Sequence, residues 1–271
     1  MKKLCLMVLS LLLILLFASC QQNPPTTTKT TEAALDVTTE AVITTTPLDG
    51  TDPVAAYEYV ASKMNALGGY EVISVEEQNL GYGSHVQEML IKVNLLDGKK
   101  GFISTKVDDE MTGVNYTVDM TYIDGTVYCL MKTQGVSVKY KTKEASVTAV
   151  FENFFDKEKT YLLKSLSFVP LDDGTYGFDI VLENEEALKI LLKSFEAQGY
   201  DASAFSDYSV TSKLVCGADG YPISSTDLLT FTMEGMACSV ISETTYQNIG
   251  TVPEITLPAD ADSYVDADAA E

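Results

Sequence analysis

The chain has 271 residues, a formal net charge of −21 and a pI of about 4.3, with 39 acidic side chains against 18 basic ones. A surface this acidic repels phosphate backbones and anionic headgroups, which excludes nucleic acid as a partner. One histidine, and five cysteines without close metal-ligand spacing, leave few ligands for a transition metal.

The first residues have the pattern of an export signal. Lys2 and Lys3 supply a positive start, residues 4–18 are apolar with one interruption, and small residues precede Cys20. The apolar run has about fifteen residues, whereas a membrane-spanning helix needs roughly twenty. We therefore predict a signal peptide over residues 1–19 rather than a permanent span.

The end of this signal, Ala18-Ser19-Cys20, resembles the lipobox of bacterial lipoproteins, although Phe17 stands where that family more often has an aliphatic residue. The resemblance implies that the Cys20 thiol carries a diacylglyceryl group, with acyl chains such as palmitate, and becomes the new N-terminus. At about 0.8 kcal/mol per buried methylene, two or three chains would hold the protein at the outer face of the cytoplasmic membrane of a bacterium of Gram-positive type. The alternative is ordinary secretion with Cys20 as an unmodified thiol.

Low-complexity segments flank the part of the chain that can fold. In residues 21–52, eleven of 32 residues are threonine and no apolar period is sustained. We therefore predict that residues 20–52 are the lipidated cysteine and a disordered stalk with a span of about 30 Å. Residues 259–271 repeat Asp and Ala and lack the glycine of a calcium loop, which predicts an acidic disordered tail. Residues 53–258 remain as one domain.

The domain begins with a helix that Asp52 caps and Pro53 starts. Strands follow, because apolar and polar residues alternate near residues 88–95 and in three runs between residues 114 and 140. Asp124-Gly125 between two of these runs is typical of a hairpin turn. Such strands have one wet face and one apolar face, as antiparallel sheets do.

Two further helices and five further strands complete the predicted elements. The second helix covers residues 143–155, and a strand pair covers residues 161–183. The third helix, residues 184–199, has a capping asparagine, acidic residues in its first turn and a leucine stripe. The closing strands are at 208–216, 226–234 and 236–246, with Glu234-Gly235 as a turn.

This order of elements, with the lipoprotein signal and the stalk, resembles the LolA/LppX-like superfamily, and in particular uncharacterised LolA-like lipoproteins of Firmicutes type. The end of the domain carries most of the likeness, with Tyr246-Gln247-Asn248-Ile249-Gly250 before Val252, Ile255, Leu257 and Pro258. The resemblance covers residues 53–258 and implies an α+β fold, a curved antiparallel half-barrel of ten or eleven strands with three helices packed on its concave side. In such relatives an apolar cavity between sheet and helices receives acyl chains.

Few residues have a pattern that indicates catalysis. Ser84 and His85 are adjacent, and neighbours in a strand point to opposite faces, so they do not form a nucleophile and its base. We expect acidic pairs such as Glu76-Glu77 to face solvent near turns or strand ends. The sequence therefore predicts no enzyme, no catalytic residue, no metal and no cofactor. An envelope hydrolase, as an alternative, needs His85 to meet a serine and an acid in the fold.

The domain contains three cysteines, Cys129, Cys216 and Cys238, all in apolar runs with strand character. Cysteine in such a run is most often a buried free thiol, which is our prediction. A disulfide between Cys216 and Cys238 is the alternative.

The apolar face of the sheet indicates a binding function. If three helices leave part of that face uncovered, an acyl chain can lie there, and aromatic and methionine side chains suit such a ligand. The residues predicted to line the site are Tyr116, Met120, Tyr122, Met131 and Phe178. The first hypothesis is a membrane-anchored binder or carrier of a lipid-like ligand. The second is a non-catalytic interaction or sensory lipoprotein with a filled core, which binds a cell-wall component or a membrane protein.

Overall fold

The computed structural model describes residue 48 and residues 52–143, 165–182 and 205–268, apart from gaps at 80, 82, 97, 110–112 and 172–173. The predicted signal peptide, Cys20 and nearly all of the predicted stalk lie outside these residues. The third predicted helix lies outside them too, as does the second from residue 144 onward. No helix in the described part of the chain combines the length and the hydropathy needed to cross a bilayer.

Twelve β-strands of the described residues form one sheet. They are β1 (Gly69–Asn79), β2 (Ser84–Asn94), β3 (Lys100–Asp109), β4 (Val114–Ile123), β5 (Thr126–Thr133), β6 (Val136–Thr142), β7 (Ser165–Pro170), β8 (Tyr176–Leu182), β9 (Phe205–Cys216), β10 (Pro222–Met233), β11 (Met236–Gln247) and β12 (Val265–Asp266). Their order in the sheet is β12-β6-β5-β4-β3-β2-β1-β11-β10-β9-β8-β7. All neighbours are antiparallel except β12, which runs parallel to β6. Two meanders, β1 to β6 and β7 to β11, therefore join where β1 pairs with β11.

The two faces of the sheet differ in exposure because side chains alternate along each strand. On β1 the buried side chains are Tyr70, Val72, Ser74, Glu76 and Gln78, and the residues between them are partly or fully exposed. We call the side that carries Val72 the inner face and the opposite side the outer face. Cross-strand pairing extends the inner face from Val72 through Ile91 of β2 to Ile103 of β3.

One α-helix, α1 (Pro53–Asn65), is present among the described residues. Asp52 fixes its start, since the Asp52 Oδ1 accepts hydrogen bonds from the backbone N–H groups of Val54 (2.9 Å) and Ala55 (3.2 Å). The helix buries Ala56 and Val60 in one apolar cluster with inner-face residues of β8 to β11. Leu48, which the sequence places in the stalk, is buried in the same cluster.

Two hairpin turns have the geometry that their sequences predict. Asp124 and Gly125 have φ values of 51° and 75°, and Glu234 and Gly235 have values of 51° and 79°. Two successive residues with positive φ are what a two-residue hairpin turn needs to match the twist of its strands. Both predicted turns are confirmed.

The predicted half-barrel of ten or eleven strands with three helices on its concave side is wrong. The described residues form a large open sheet of twelve strands with one α-helix. Part of the reason lies in β1, where the polar residues Ser74, Glu76 and Gln78 occupy buried positions. These polar residues interrupt the apolar alternation from which the other strands are predicted, so the sequence does not predict β1 as a strand.

The acidic tail also differs from its prediction as a disordered segment. Residues 265–266 form β12 on the edge of β6, and the Tyr264 ring meets the Tyr128 ring edge-on with centroids 5.6 Å apart. The Asp268 carboxylate accepts hydrogen bonds from Thr142 Oγ1 at 2.5 Å and from the backbone N–H of Lys143 at 2.7 Å. Polar contacts with β6 and an aromatic contact with β5 thus hold the tail to the sheet, and composition alone does not reveal them.

Candidate functional site

Part of the apolar inner face is uncovered at the β4–β6 end of the sheet. Val107, Tyr116, Val118 and Cys129 form a buried cluster there, and Val114, Met120, Met131 and Tyr140 are only partly buried against it. On β6, Val136 and Val138 are 58% and 46% exposed although their side chains lie on the inner face. We call the partly buried and exposed members of this group the open strip: Val114, Met120, Met131, Val136, Val138 and Tyr140.

The opposite end of the inner face is covered. The helix α1 contacts β7, and its Tyr57 ring packs edge-on against Phe178 of β8 with centroids 5.8 Å apart. Phe178 is 1% exposed. Burial therefore separates a filled end of the inner face from an open one.

The five residues predicted to line a ligand site do not all come together. Tyr116, Met120 and Met131 meet in and around the cluster under the open strip. Tyr122 belongs to the neighbouring cluster, against which Met120 also packs. Phe178 lies under α1 in a third cluster. The open strip thus contains Met120 and Met131 and adjoins Tyr116, whereas Phe178 is far from it in the strand order.

A groove open to solvent, with a volume of about 410 Å³, lies beside the open strip at the β5–β6 turn. Its lining includes Tyr116 and Val136, together with Lys106 and Lys132 from the outer face. Lys106 Nζ lies 3.5 Å from a Glu88 oxygen, and Lys132 Nζ lies 4.0 Å from an Asp119 oxygen. The lining is thus polar on the outer side and apolar where it meets the inner face.

A row of buried polar side chains, which the sequence pattern does not predict, crosses the middle of the inner face. Ser212, Asp227, Ser242, Glu76 and Gln87 lie directly opposite one another on β9, β10, β11, β1 and β2. All five are buried. We call this set the polar row. The prediction that Glu76 faces solvent is wrong. Glu76 lies four positions after the buried Val72 on β1, and because side chains alternate between the two faces, both point to the inner face.

Four of the five residues of the polar row belong to two hydrogen-bonded groups, and each group includes one further side chain from outside the row. Asp227 accepts from Ser212 Oγ (2.5 Å) and from Ser225 Oγ (3.2 Å), one on each carboxylate oxygen. Glu76 Oε1 accepts from Gln78 Nε2 (2.7 Å) and from Gln87 Nε2 (3.1 Å). The second group, Glu76 with Gln78 and Gln87, we call the triad.

Burial dominates the protonation of both acids. Burial, with a smaller contribution from the nearby Asp227, raises the pKa of Glu76 to about 8 against the lowering effect of the Gln78 and Gln87 amides. Burial likewise raises the pKa of Asp227 to about 7, although Ser212 and Ser225 donate to it. At neutral pH the Glu76 carboxyl therefore keeps its proton, since desolvation penalises the charged form.

Each member of the triad has an oxygen without a hydrogen-bond partner in the described structure: Glu76 Oε2, Gln78 Oε1 and Gln87 Oε1. Thr105 Oγ1 of β3 is a fourth such atom. A buried polar atom left without a partner costs about 1–3 kcal/mol, so native proteins seldom leave several together. Four in one region indicate a place where a further polar group can bind.

The remaining sequence candidates have no arrangement that indicates a reaction. His85 is buried on β2, opposite Gln78 of β1 and Asp109 of β3. Within the described ranges, no three His, Cys, Asp or Glu residues are placed to hold a metal ion. Cys129, Cys216 and Cys238 are free and buried, which confirms the predicted free thiols over the alternative disulfide.

No protein-family model matches the chain, and no curated protein matches it. Among solved structures, LprF from Mycobacterium bovis matches with 12% identity and a TM-score of 0.44, over 75% of this chain and 95% of that one. A putative outer membrane lipoprotein-sorting protein domain from Vibrio parahaemolyticus matches with 10% identity and a TM-score of 0.28, over 74% and 94%. LolA superfamily protein NE2245 from Nitrosomonas europaea matches with 7% identity and a TM-score of 0.27, over 75% and 95%.

One of these structures is a protein of the LolA superfamily, which the sequence resembles, and another is a lipoprotein-sorting domain. Every TM-score is below 0.5, so the likenesses carry no functional conclusion for this chain.

Proposed function

We propose that the protein is a lipid-anchored, extracytoplasmic lipoprotein that binds a lipid or another hydrophobic ligand on the open strip. The observation that carries the proposal is the exposure of Val136 and Val138 beside Met131 on a sheet face whose middle is buried. Exposed apolar side chains that continue a buried apolar face are typical of a surface that a ligand or partner covers.

The energy of binding would come from removing acyl methylenes from water. Each methylene contributes about 0.8 kcal/mol, so six of them on the open strip contribute roughly 5 kcal/mol before the loss of mobility is counted. Met120 and Met131 suit this role because an unbranched thioether adapts to ligands of differing shape.

The anchor is the acylated Cys20, and the stalk of residues 20–52 would let the domain reach away from the bilayer. We place the protein at the outer face of the cytoplasmic membrane of a bacterium of Gram-positive type. The membrane is then both the attachment surface and a source of ligand. Transfer of apolar chains from membrane to protein needs no reaction, which fits the proposal that the protein is not an enzyme.

A non-catalytic interaction or sensory lipoprotein is the second candidate. It is favoured by the filled interior at the other end of the sheet, where Leu229, Val240 and Phe178 are at most 1% exposed. In this case the open strip would bind a protein or a cell-wall component rather than a lipid. The two candidates differ in whether lipid accompanies the purified protein.

The test is extraction of lipid from the full chain after purification from its own membranes, with quantification by mass spectrometry. We expect lipid beyond that of the anchor in the wild type and about tenfold less in Val138→Asp, because the added carboxylate must lose water beneath an acyl chain. Val75→Asp is the matched control, since Val75 is 43% exposed on the outer face against 46% for Val138 on the inner face. Equal lipid content in both variants and the wild type, or none in any, would contradict the proposal.

A further inference from the structure

The polar row and the open strip belong to one line of residues across the sheet. From Gln87 the directly opposed positions continue through Val107 of β3, Tyr116 of β4 and Thr133 of β5 to Val136 of β6. With about 4.8 Å between neighbouring strands, the line from Glu76 to Val136 is about 24 Å long. Its polar end is buried, its middle is buried and apolar at Val107 and Tyr116, and only Val136 at its far end is exposed.

The unpartnered atoms at the polar end are mainly hydrogen-bond acceptors. The amide nitrogens of Gln78 and Gln87 both donate to Glu76 Oε1, which leaves the two amide oxygens facing away from that bond. An amide oxygen accepts and does not donate. A group that satisfies these atoms must therefore bring hydrogen-bond donors.

The strands that the structure describes place no lysine on the inner face that could balance an anion there. On the described strands every lysine occupies an outer-face position: Lys92, Lys100, Lys106, Lys132, Lys139, Lys141 and Lys213. The chain contains no arginine. A phosphate beside Glu76 and Asp227 would be a buried charge without a partner, which costs far more than a hydroxyl that forms hydrogen bonds.

On the basis of the function proposed above, we propose that the triad of Glu76, Gln78 and Gln87 is the subsite for the polar end of the ligand. That end is an uncharged, hydroxyl-bearing group such as the free glycerol hydroxyl of a diacylglycerol, and the acyl chains extend along Val107 and Tyr116 toward the open strip. The protonated Glu76 carboxyl matches an uncharged partner, since its free oxygen can donate to the ligand hydroxyl while one of the two glutamine oxygens accepts from that hydroxyl.

The test uses two lipids that differ only at this hydroxyl. Dioleoylglycerol has it free, and dioleoyl phosphatidic acid has it phosphorylated, with the same acyl chains. The full chain in detergent micelles is incubated with an equimolar mixture of the two, and native mass spectrometry measures how much of each is bound. We expect the wild type to bind dioleoylglycerol at least about tenfold better, which corresponds to about 1.4 kcal/mol.

Variants of the triad locate the preference. Gln87→Met keeps the length of the side chain but removes its amide, and we expect the ratio to fall about fivefold or more while total lipid stays bound. Gln78→Met is the second variant, in case the first fails to fold, and Gln247→Met on the exposed end of β11 is the control that should keep the ratio.

Each outcome has a distinct meaning. Equal binding of the two lipids by the wild type, or an unchanged ratio in both triad variants, overturns the subsite and leaves lipid binding on the open strip intact. Binding of neither lipid overturns the proposed function as well, and the subsite with it.

Discussion

Replacement of Glu76 by glutamine should change how the stability of the domain depends on pH. In the fold the Glu76 carboxyl is fully buried, and burial raises its pKa from an ordinary value of 4.5 to about 8. Between these two values the folded state binds more protons than the unfolded state, so stability falls as pH rises. The contribution of Glu76 to the free energy of unfolding is complete below about pH 4.5 and is lost as pH rises through about 8. Glutamine resembles the protonated acid and removes this dependence.

The size of the effect follows from the linkage relation. Between the two pKa values, one extra proton bound by the folded state lowers the free energy of unfolding by about 1.4 kcal/mol per pH unit as pH rises. From pH 5 to 7.5, Glu76 therefore accounts for a loss of roughly 3 kcal/mol in the wild type. For a domain of this size that corresponds to roughly 6–12 °C in the unfolding midpoint. Asp227, with its pKa raised to about 7, adds a similar dependence that remains in the variant. His85 also lies on the inner face and is unchanged in both proteins.

The assay is thermal unfolding of the purified full chain at half-unit steps from pH 5 to 8.5, for the wild type, Glu76→Gln and Glu77→Gln. Glu77 is the next residue on the same strand and is exposed on the outer face. We expect the Glu76→Gln midpoint to exceed that of the wild type by an amount that grows with pH, and the Glu77→Gln profile to follow the wild type. Parallel profiles for Glu76→Gln and the wild type would refute the claim that Glu76 is protonated in the fold.

Two further predictions concern packing. Tyr264→Ala should lower the free energy of unfolding by about 2–3 kcal/mol, because it removes the ring that packs against Tyr128 of β5. Val265→Ala, at 66% exposure, should change it by less than about 0.5 kcal/mol, and equal small effects in urea titrations would show that the tail does not pack as described. Ile103→Ala should lower the free energy of unfolding by about 2–5 kcal/mol, because Ile103 is fully buried on the inner face. Ile73→Ala should lower it by about 1 kcal/mol or less, because Ile73 is 39% exposed on the outer face. A reversed order would contradict the assignment of the two faces.

Local patterns in the sequence predicted much of the sheet. The alternation of Val114, Tyr116 and Val118 with polar residues places the former on the inner face, as the structure has them. The turns at Asp124-Gly125 and Glu234-Gly235 were predictable because few residues accept two successive positive φ values. These features depend on near neighbours in the chain, which is why one sequence is enough to find them.

What the sequence could not predict depends on contacts between distant segments. Glu76 and Asp227 are 151 positions apart in the numbering and become members of one row only when β1 pairs with β11 and β11 with β10. The polar residues of β1 favour a solvent-facing interpretation until its burial is known. The Asp268 carboxylate accepts its hydrogen bonds from Thr142 and Lys143, which lie in a distant part of the chain. The open strip had a usable signal, since Met120 and Met131 were predicted, but Val136 and Val138 look in sequence like ordinary core.

The most direct test of lipid binding on the open strip is photocrosslinking in the native membrane. Cells that express the full chain are fed a fatty acid with a photoreactive group near its methyl end, and after irradiation the crosslinked residues are mapped by mass spectrometry. We expect the adducts on β5 and β6, at Met131, Val136 and Val138. Adducts confined to outer-face residues such as Ile73 and Ile241, or none in the domain beyond the anchor, would contradict the proposed function.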